Sequence, residues 1–141
     1  MAKASEQLIA GLNEALSEEL TALIQYLWHH IQGRGIESAA VSEIFKATSM
    51  TEMNHAYKVA ERIDLLGGVP GTAGARPPKV GGDLRQMIQD DLAGEYAAIE
   101  MYKRLVDLAD DEDDDVTEQM LIGILKDEQE HANQWETVLG Q

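Results

Sequence analysis

Apolar side chains recur every three to four residues along four long segments of this chain, and no segment alternates as a strand does. In the first segment the apolar positions are Leu8, Leu12, Leu16, Leu23 and Tyr26. This spacing is the helical period, so the pattern predicts an all-α chain of four helices. They are predicted from about Ser5 to Gln32, from about Ile36 to Leu66, from Asp83 into the acidic stretch ADDEDDD, and from Asp115 to the C-terminus.

The predicted helices begin and end at recognisable signals. GRG at positions 33–35 breaks the first helix, and GGVPG ends the second. Asp83 with Gln86, and Asp115 with Glu118, have the spacing of capping boxes. These pairs predict the N-termini of the third and fourth helices.

The lengths of the connections predict the topology. Helices one and two, and helices three and four, are joined by short links and should form antiparallel hairpins. The Gly- and Pro-rich stretch 67–82 spans ~50 Å when extended, compared with ~45 Å for a 30-residue helix. We therefore expect one domain over residues 1–141, an antiparallel four-helix bundle of two hairpins joined by a long crossover.

The two hairpins repeat each other at a shift of 76 positions, and the repeat includes polar residues. The matched pairs are Leu8/Leu84, Leu12/Ile88, Leu16/Leu92, Glu19/Glu95, Leu23/Ile99, Tyr26/Tyr102, Glu52/Glu128 and His55/His131. Chance rarely keeps polar residues in register with a core stripe. The repeated glutamates and Glu-x-x-His pairs therefore indicate a site with internal symmetry.

Glu19 and Glu95 lie on apolar stripes and should point into the bundle, at the level of the two Glu-x-x-His pairs. Four buried carboxylates would repel one another and resist ionisation unless two divalent cations balanced their charge. One Glu from each of two helices, with Glu-x-x-His from each of the other two, is typical of di-metal carboxylate bundles. These ligands suit iron or manganese better than structural zinc.

Composition restricts the function further. The net charge is −15, from 26 acidic and 11 basic residues, so the basic surface of a nucleic-acid binder is absent. The acidity could concentrate cations, but we prefer the simpler interpretation that it keeps the chain soluble. There is no cysteine, and no signal sequence or membrane-spanning segment is predicted. We expect a cytoplasmic protein with no membrane or nucleic-acid partner.

The sequence resembles the ferritin-like superfamily, and within it most of all the bacterioferritins. The resemblance covers nearly the whole chain and is strongest in LNEALSEELTALIQYLWH, TEMNHAYKVAERIDLLGGVP and MLIGILKDEQEHANQWE. It implies two iron ions per chain, with Glu52 and Glu128 bridging them. It assigns Glu19, Glu52 and His55 to one iron, and Glu95, Glu128 and His131 to the other.

The activity that the resemblance implies is ferroxidation: two Fe(II) ions each lose one electron to dioxygen or peroxide, and ferric product is stored inside an oligomeric shell. Tyr26 and Tyr102 would lie beside the metals as hydrogen-bond donors or electron sources. The alternative for both tyrosines is packing in the core with a satisfied hydroxyl. A separate electron-donor protein would later release the iron.

Met53 directly follows Glu52 and should point about 100° away from the metal site, toward the outside of the bundle. The residues on the same side of the helix, Ser49, Ala56 and Ala60, are small. The ordinary interpretation is therefore that Met53 fills space in the packing or lies in an interface. In bacterioferritins the methionine at this place ligates a haem shared by two subunits. The resemblance therefore implies an inter-subunit haem and a twofold homodimer. We expect Met50, Met87, Met101 and Met120 to lie in the core.

The chain also departs from the bacterioferritin pattern. The short fifth helix of the 24-subunit shell is not expected after the fourth helix, which favours a smaller shell of twelve subunits. Rubrerythrin-like peroxide reductases are the enzyme alternative, but they carry a glutamate where this chain has Ala98. A bundle that holds zinc or manganese structurally is a further alternative. The run Asp110–Asp115 is expected to be a solvated loop, with a cation-attracting pore as the less favoured interpretation.

Overall fold

The computed structural model describes residues 4–141, which form four α-helices and no strand. The helices are α1 (Glu6–Gln32), α2 (Ser38–Leu65), α3 (Leu84–Asp111) and α4 (Asp115–Leu139). Helix α1 packs most extensively against α2, and α3 against α4, while the two hairpins meet mainly where α1 contacts α3. The predicted all-α bundle of two hairpins is therefore confirmed.

Three of the four helices begin at a side-chain cap. The Ser5 side chain accepts a hydrogen bond from the backbone N–H of Leu8, and Asp83 accepts one from Gln86 as the sequence predicts. The prediction for α4 is wrong by one residue, because Asp114 caps that helix and accepts the N–H of Thr117. Helix α2 also begins later than predicted, because the turn continues through Ile36, whose side chain is 98% exposed.

Asp114 makes more contacts than an ordinary helix cap. Its carboxylate also accepts hydrogen bonds from Thr117 Oγ1 at 2.6 Å and from the Arg62 guanidinium at 3.2 Å. Partial burial alone would raise the pKa of Asp114, but the bonds from Thr117 and Arg62 outweigh burial and lower it. Asp114 therefore joins the end of the second hairpin to α2.

Asp114→Ala is expected to destabilise the protein by about 2 kcal/mol, compared with about 1 kcal/mol for Asp83→Ala. Asp114 satisfies Arg62 and Thr117 in addition to the helix end, whereas Asp83 caps α3 alone. Asp115→Ala should be nearly neutral, since Asp115 is not the cap. Urea unfolding of the three variants measures these differences, and equal losses for Asp114→Ala and Asp115→Ala would contradict the assignment.

The crossover between α2 and α3 runs along α1, because polar side chains of α1 bond its backbone. Asn13 donates to the carbonyl of Val69 and accepts the N–H of Gly71. Thr21 Oγ1 accepts the N–H of Ala75 at 2.9 Å and donates to the Arg76 carbonyl at 3.2 Å. These bonds satisfy backbone groups of the irregular crossover that no helix or sheet pairs.

The core consists of two apolar clusters on either side of a polar layer. One cluster contains Leu8, Leu12, Leu16, Val59, Ile63, Tyr102, Leu105, Leu121 and Ile124. The other contains Tyr26, Val41, Phe45, Met87, Ile88, Leu92, Ala132 and Trp135. The glutamates of the candidate site lie between the two clusters.

The prediction for the methionines holds in part. Met87 and Met101 are buried, and Met120 packs half-buried against the first cluster. Met50 is 50% exposed, so its assignment to the core was wrong. Met50 lies on a side of α2 where Met53 and Tyr57 are also exposed. None of the helices in the described part of the chain combines the length and apolarity needed to cross a bilayer.

Candidate metal centre

All four helices contribute to one buried polar layer in the middle of the bundle. The structure brings together the six side chains predicted as metal ligands: Glu19 from α1, Glu52 and His55 from α2, Glu95 from α3, and Glu128 and His131 from α4. The four glutamates and His55 are buried, and His131 is 12% exposed. Each lies there because it occupies a core-facing position of its helix between turns of apolar residues.

The imidazole nitrogens define two positions that share two carboxylates. His55 Nδ1 lies 3.3 Å from Glu19 Oε2, 3.3 Å from Glu52 Oε1 and 3.4 Å from Glu128 Oε1. His131 Nδ1 lies 3.4 Å from Glu95 Oε1, 3.5 Å from Glu52 Oε1 and 3.3 Å from Glu128 Oε1. Glu52 and Glu128 therefore face both histidines, as bridging ligands must.

Six buried polar atoms of this layer have no hydrogen-bond partner within the described chain. They are Glu19 Oε2, Glu52 Oε1, His55 Nδ1, Glu95 Oε2, Glu128 Oε1 and His131 Nδ1. Leaving one such atom unpaired costs about 1–3 kcal/mol, so six convergent ones indicate a missing partner.

The residues fit a pair of divalent metal ions. In each half the ligand atoms lie within 4.8 Å of one another. Metal–oxygen and metal–nitrogen bonds of about 2.0–2.2 Å place ligands on opposite sides of one ion at a similar separation. Two divalent ions carry the charge that four ionised carboxylates and two neutral imidazoles require. All-oxygen-and-nitrogen ligation with excess carboxylate suits iron or manganese.

Without metal, the layer retains protons. Burial raises the pKa of Glu52 well above 4.5, and the neighbouring Glu19 and Glu128 raise it further. Burial, together with Glu128, raises the pKa of Glu95 to about 7. Burial lowers the pKa of His131, but the carboxylates of Glu128 and Glu95 outweigh it and raise the value to about 10. Metal binding must therefore displace protons from the site.

Two buried tyrosines each bond one oxygen of a terminal glutamate. Tyr102 donates to Glu19 Oε1 at 2.8 Å, and Tyr26 donates to Glu95 Oε1 at 2.7 Å. Each tyrosine thus bonds the glutamate of the other hairpin. Tyr26 also accepts a hydrogen bond from the indole N–H of Trp135 at 2.8 Å. The predicted position of both tyrosines beside the site agrees with this geometry.

Tyr26→Phe is expected to destabilise the metal-free protein by about 1–3 kcal/mol more than Tyr102→Phe. Both changes remove a donor from a glutamate, but only Tyr26→Phe leaves the Trp135 N–H buried without an acceptor. Urea unfolding at one protein concentration compares the two variants. Equal losses would show that the Trp135 bond contributes nothing.

The structure adds polar residues around the site that the sequence analysis missed. Asp127 accepts a hydrogen bond from His55 Nε2 at 2.8 Å. Asp91, one turn before Glu95, pairs with His29 at 2.8 Å and accepts an amide N–H of Gln25 at 2.8 Å. These residues do not follow the 76-residue repeat, so a search for repeated polar positions passes over them. The helical spacing of Asp91 to Glu95 was the available signal.

A small cavity leads toward the site between α1 and α3. Its volume is about 40 Å³, and Glu19, Glu52, Glu95 and Glu128 line its inner end. Exposed Gly94 and the Arg76 guanidinium lie at the outer end, where Arg76 pairs with Glu18 through two contacts of 2.8 Å. Gly94 has no side chain and Ala98 has only a methyl group, so the wall next to Glu95 stays open. The lining of this cavity thus includes both the buried carboxylates and exposed residues.

Met53 lies away from this site, as the sequence predicts. Its side chain is 45% exposed on the outer side of α2. Met50 and Tyr57, one turn before and after it, are also exposed, as are Ile24 and Trp28 of α1. Ser49 Oγ donates to the Leu23 carbonyl at 2.9 Å. This hydrogen bond places the part of α1 around Ile24 beside Met50. We call this surface of Ile24, Trp28, Met50, Met53 and Tyr57 the outer apolar face.

Comparison with known proteins identifies the class to which this fold and site correspond. The Ferritin-like domain family matches residues 9–141. The chain therefore belongs to the ferritin-like family.

Among its relatives are bacterioferritins. One from Mycolicibacterium paratuberculosis is 34% identical over 128 residues, which cover 91% of this chain and 80% of the relative. One from Brucella melitensis is 33% identical over 139 residues, covering 97% and 85%. The resemblance to bacterioferritins inferred from the sequence is thus confirmed.

Solved structures agree with the fold. A mycobacterial bacterioferritin superposes with a TM-score of 0.92 and 33% identity, covering 99% of this chain and 86% of that one. A ferritin-like, diiron-carboxylate protein from Bacillus anthracis superposes with a TM-score of 0.92 and 29% identity, covering 99% of both chains.

Proposed function

We propose that this protein binds two iron ions in the candidate metal centre, oxidises Fe(II) to Fe(III), and stores the ferric product. The observation that carries the proposal is the set of six buried, unpartnered ligand atoms with Glu52 and Glu128 shared between the two halves. The bacterioferritin relatives and the diiron-carboxylate neighbour support iron as the metal.

Each residue of the site has a defined part in this chemistry. Glu19 and His55 would hold one iron, Glu95 and His131 the other, and Glu52 and Glu128 would bridge them. Iron there would supply the redox chemistry, in which two Fe(II) become two Fe(III) while two electrons and two protons reduce O₂ to hydrogen peroxide or hydrogen peroxide to water. Tyr102 and Tyr26 hold Glu19 and Glu95 in place, leaving one oxygen of each carboxylate directed at the metal position.

The surroundings of the site support oxidation of small reactants. Two apolar clusters flank the polar layer and limit its contact with bulk water, which strengthens the electrostatic interactions within it. The cavity beside Gly94 and Ala98 is too small for an organic substrate but wide enough for an ion, dioxygen or peroxide. The buried Tyr26, whose hydroxyl bonds Glu95, is an oxidisable side chain beside the site and would serve as a further electron source.

The first experiment is to load the purified metal-free protein with excess Fe(II) in air and separate the product by size. Many irons per chain, eluting with a large assembly, are the expected result and establish storage. About two irons per chain would contradict storage and favour a rubrerythrin-like peroxide reductase. No retained iron would overturn the proposal and leave a structural zinc or manganese bundle.

The outer apolar face is the proposed site of homodimerisation and haem binding. Met53 offers a thioether ligand, and the buried Ser49 and Ala56 beside it are small enough to leave space for a flat ligand. A set of neighbouring exposed apolar side chains is typical of an interface. A twofold axis through it would place two copies of Met53 on either side of one haem.

Haem titration tests this part of the proposal. One haem per two chains, with the absorption spectrum of methionine ligation, is expected for the natural sequence. Met53→Leu should abolish that spectrum, while Met50→Leu on the same face should keep it. Unchanged haem binding in Met53→Leu would exclude Met53 as the ligand.

Assembly of such dimers into a shell, with twelve subunits favoured, completes the proposal, and an electron-donor protein would release the stored iron. The run Asp110–Asp115 covers the last residues of α3, the turn at 112–114 and the first residue of α4, and Asp113 adopts a positive φ of 56° in the turn. The Asp114 carboxylate accepts hydrogen bonds from Thr117 and Arg62, so this member of the acidic run stabilises the fold. Sedimentation of the iron-loaded protein measures the subunit number.

A further inference from the structure

The two halves of the metal centre are not equivalent, because the 76-residue repeat fails at one position beside the histidines. His55 and His131 both turn Nδ1 toward the shared carboxylates. The far nitrogen of His55, Nε2, donates to Asp127 Oδ2 at 2.8 Å. In the other hairpin the position equivalent to Asp127 is Thr51. A threonine there has no carboxylate to offer His131.

The contacts of the two histidines differ accordingly. His55 is 1% exposed and contacts protein through both ring nitrogens. His131 is 12% exposed, and its ion-pair contacts within the described chain are made by Nδ1 alone. Thr51 Oγ1 donates instead to the carbonyl of Ala47 on its own helix, at 3.2 Å. The imidazole of His55 is therefore held in one orientation, whereas that of His131 is held only from the metal side.

A carboxylate on the far nitrogen has a known effect on a metal-ligating histidine. It fixes the tautomer that presents the other nitrogen to the metal, fixes the ring orientation, and increases the basicity of the ligand. Loss of such a partner typically weakens metal binding about 10- to 100-fold. Asp127 is well suited to this role, since it immediately precedes the predicted ligand Glu128 on α4.

We propose that Asp127 is a positioning residue that makes the Glu19–His55 half of the centre the tighter metal position, while the Glu95–His131 half binds its metal more weakly and exchanges it faster. This inference rests on the proposed metal centre and adds an order of filling to it. The half that fills second is the one that also contacts the solvent through His131.

Cobalt(II) titration of the metal-free protein, followed by visible absorption, tests the inference without ferroxidation. The natural sequence should bind two cobalt ions with affinities that differ about 10-fold or more. Asp127→Ala should weaken the tighter ion about 10- to 100-fold, and Asp127→Asn, whose amide oxygen still accepts from Nε2, should weaken it less. The weaker ion should be affected little in either variant.

The repeat also supplies a gain-of-affinity variant. Thr51→Asp places a carboxylate at the position equivalent to Asp127 and should tighten the weaker ion. Thr51→Val, which has the shape of threonine but no acceptor, is the control and should not tighten it. In the cobalt protein, proton NMR should show one shifted imidazole N–H that exchanges slowly with water, from His55. Asp127→Ala should make this N–H exchange rapidly. A general loss of stability would instead increase the exchange of many N–H groups.

The outcomes separate this inference from the proposed function. Two equal affinities that Asp127→Ala leaves unchanged would overturn the inequivalence while leaving the metal centre intact. Failure of the natural sequence to bind cobalt would overturn the metal centre itself. Two unequal affinities that respond to Asp127→Ala, in a protein that does not store iron, would support the inference and contradict storage.

Discussion

Glu52→Gln will increase the stability of the metal-free protein and eliminate its ability to oxidise Fe(II). Glu52 is buried among Glu19 and Glu128, and its pKa lies well above 4.5. The folded protein must therefore keep a proton that the unfolded chain releases. That proton costs about 1.4 kcal/mol of stability for each pH unit above 4.5 while the carboxyl stays protonated. Glutamine mimics the protonated form without this cost.

Near neutral pH the expected result is therefore a higher melting temperature of the metal-free protein. The rate of Fe(II) oxidation should fall by more than about 100-fold. Loss of a residue that only orients a metal ligand already lowers activity or metal affinity about 10- to 100-fold. Glu52 faces both histidines, so its loss should have a larger effect. Calorimetry and oxygen consumption measure the two effects. Glu61→Gln, an exposed change on the same helix, is the control. A destabilised variant that still oxidises iron would contradict the assignment.

The metal-free protein will become less stable as the pH rises from 4.5 to about 7, and bound metal will remove this dependence. Glu95 has a pKa of about 7 in the folded protein and 4.5 in the unfolded chain. Between these values only the folded state holds the proton, so its stability is full below pH 4.5 and decreases by about 3 kcal/mol as the pH passes through 7. His131, with a pKa of about 10 against 6.5, continues the decrease above neutrality.

Metal ligation requires ionised carboxylates and neutral imidazoles, so metal affinity increases with pH and offsets the loss. Urea unfolding at a fixed protein concentration, between pH 5 and 8, with and without Co(II), measures both effects. In Glu95→Gln the slope below pH 7 should become shallower, because that proton is no longer linked to folding. Stability of the metal-free protein that rises between pH 5 and 7 would contradict the expected direction.

Much of the bundle and its site could be predicted because both depend on periodic positions. Glu19 interrupts an apolar stripe that has the helical period. The direction of its side chain could therefore be predicted from neighbours such as Leu16 on the same helix. The 76-residue repeat then predicted that Glu95, Glu128 and His131 have equivalent positions. The structure brings these residues together because the hairpins have similar lengths and their ligands lie at the same level.

The missed residues depend on contacts between helices or on single positions outside the repeat. Asp127 is adjacent to Glu128 in sequence, but only the approach of α2 to α4 brings it to His55 Nε2. Asp114 caps α4 in place of Asp115, since a run of aspartates has no local signal that distinguishes its members. Met50 and Met87 have similar apolar surroundings in sequence, yet only Met87 is covered by other helices.

The sequence alone determined the number of helices, the side that each turns to the core, and the six polar residues that interrupt that side. Local propensity and period decide these properties, and each can be evaluated within one helix. The tertiary structure decided which carboxylates are shared, which histidine has an aspartate behind it, and which apolar side remains exposed. Those properties are distances between atoms of different helices, and they exist only after the four helices have packed.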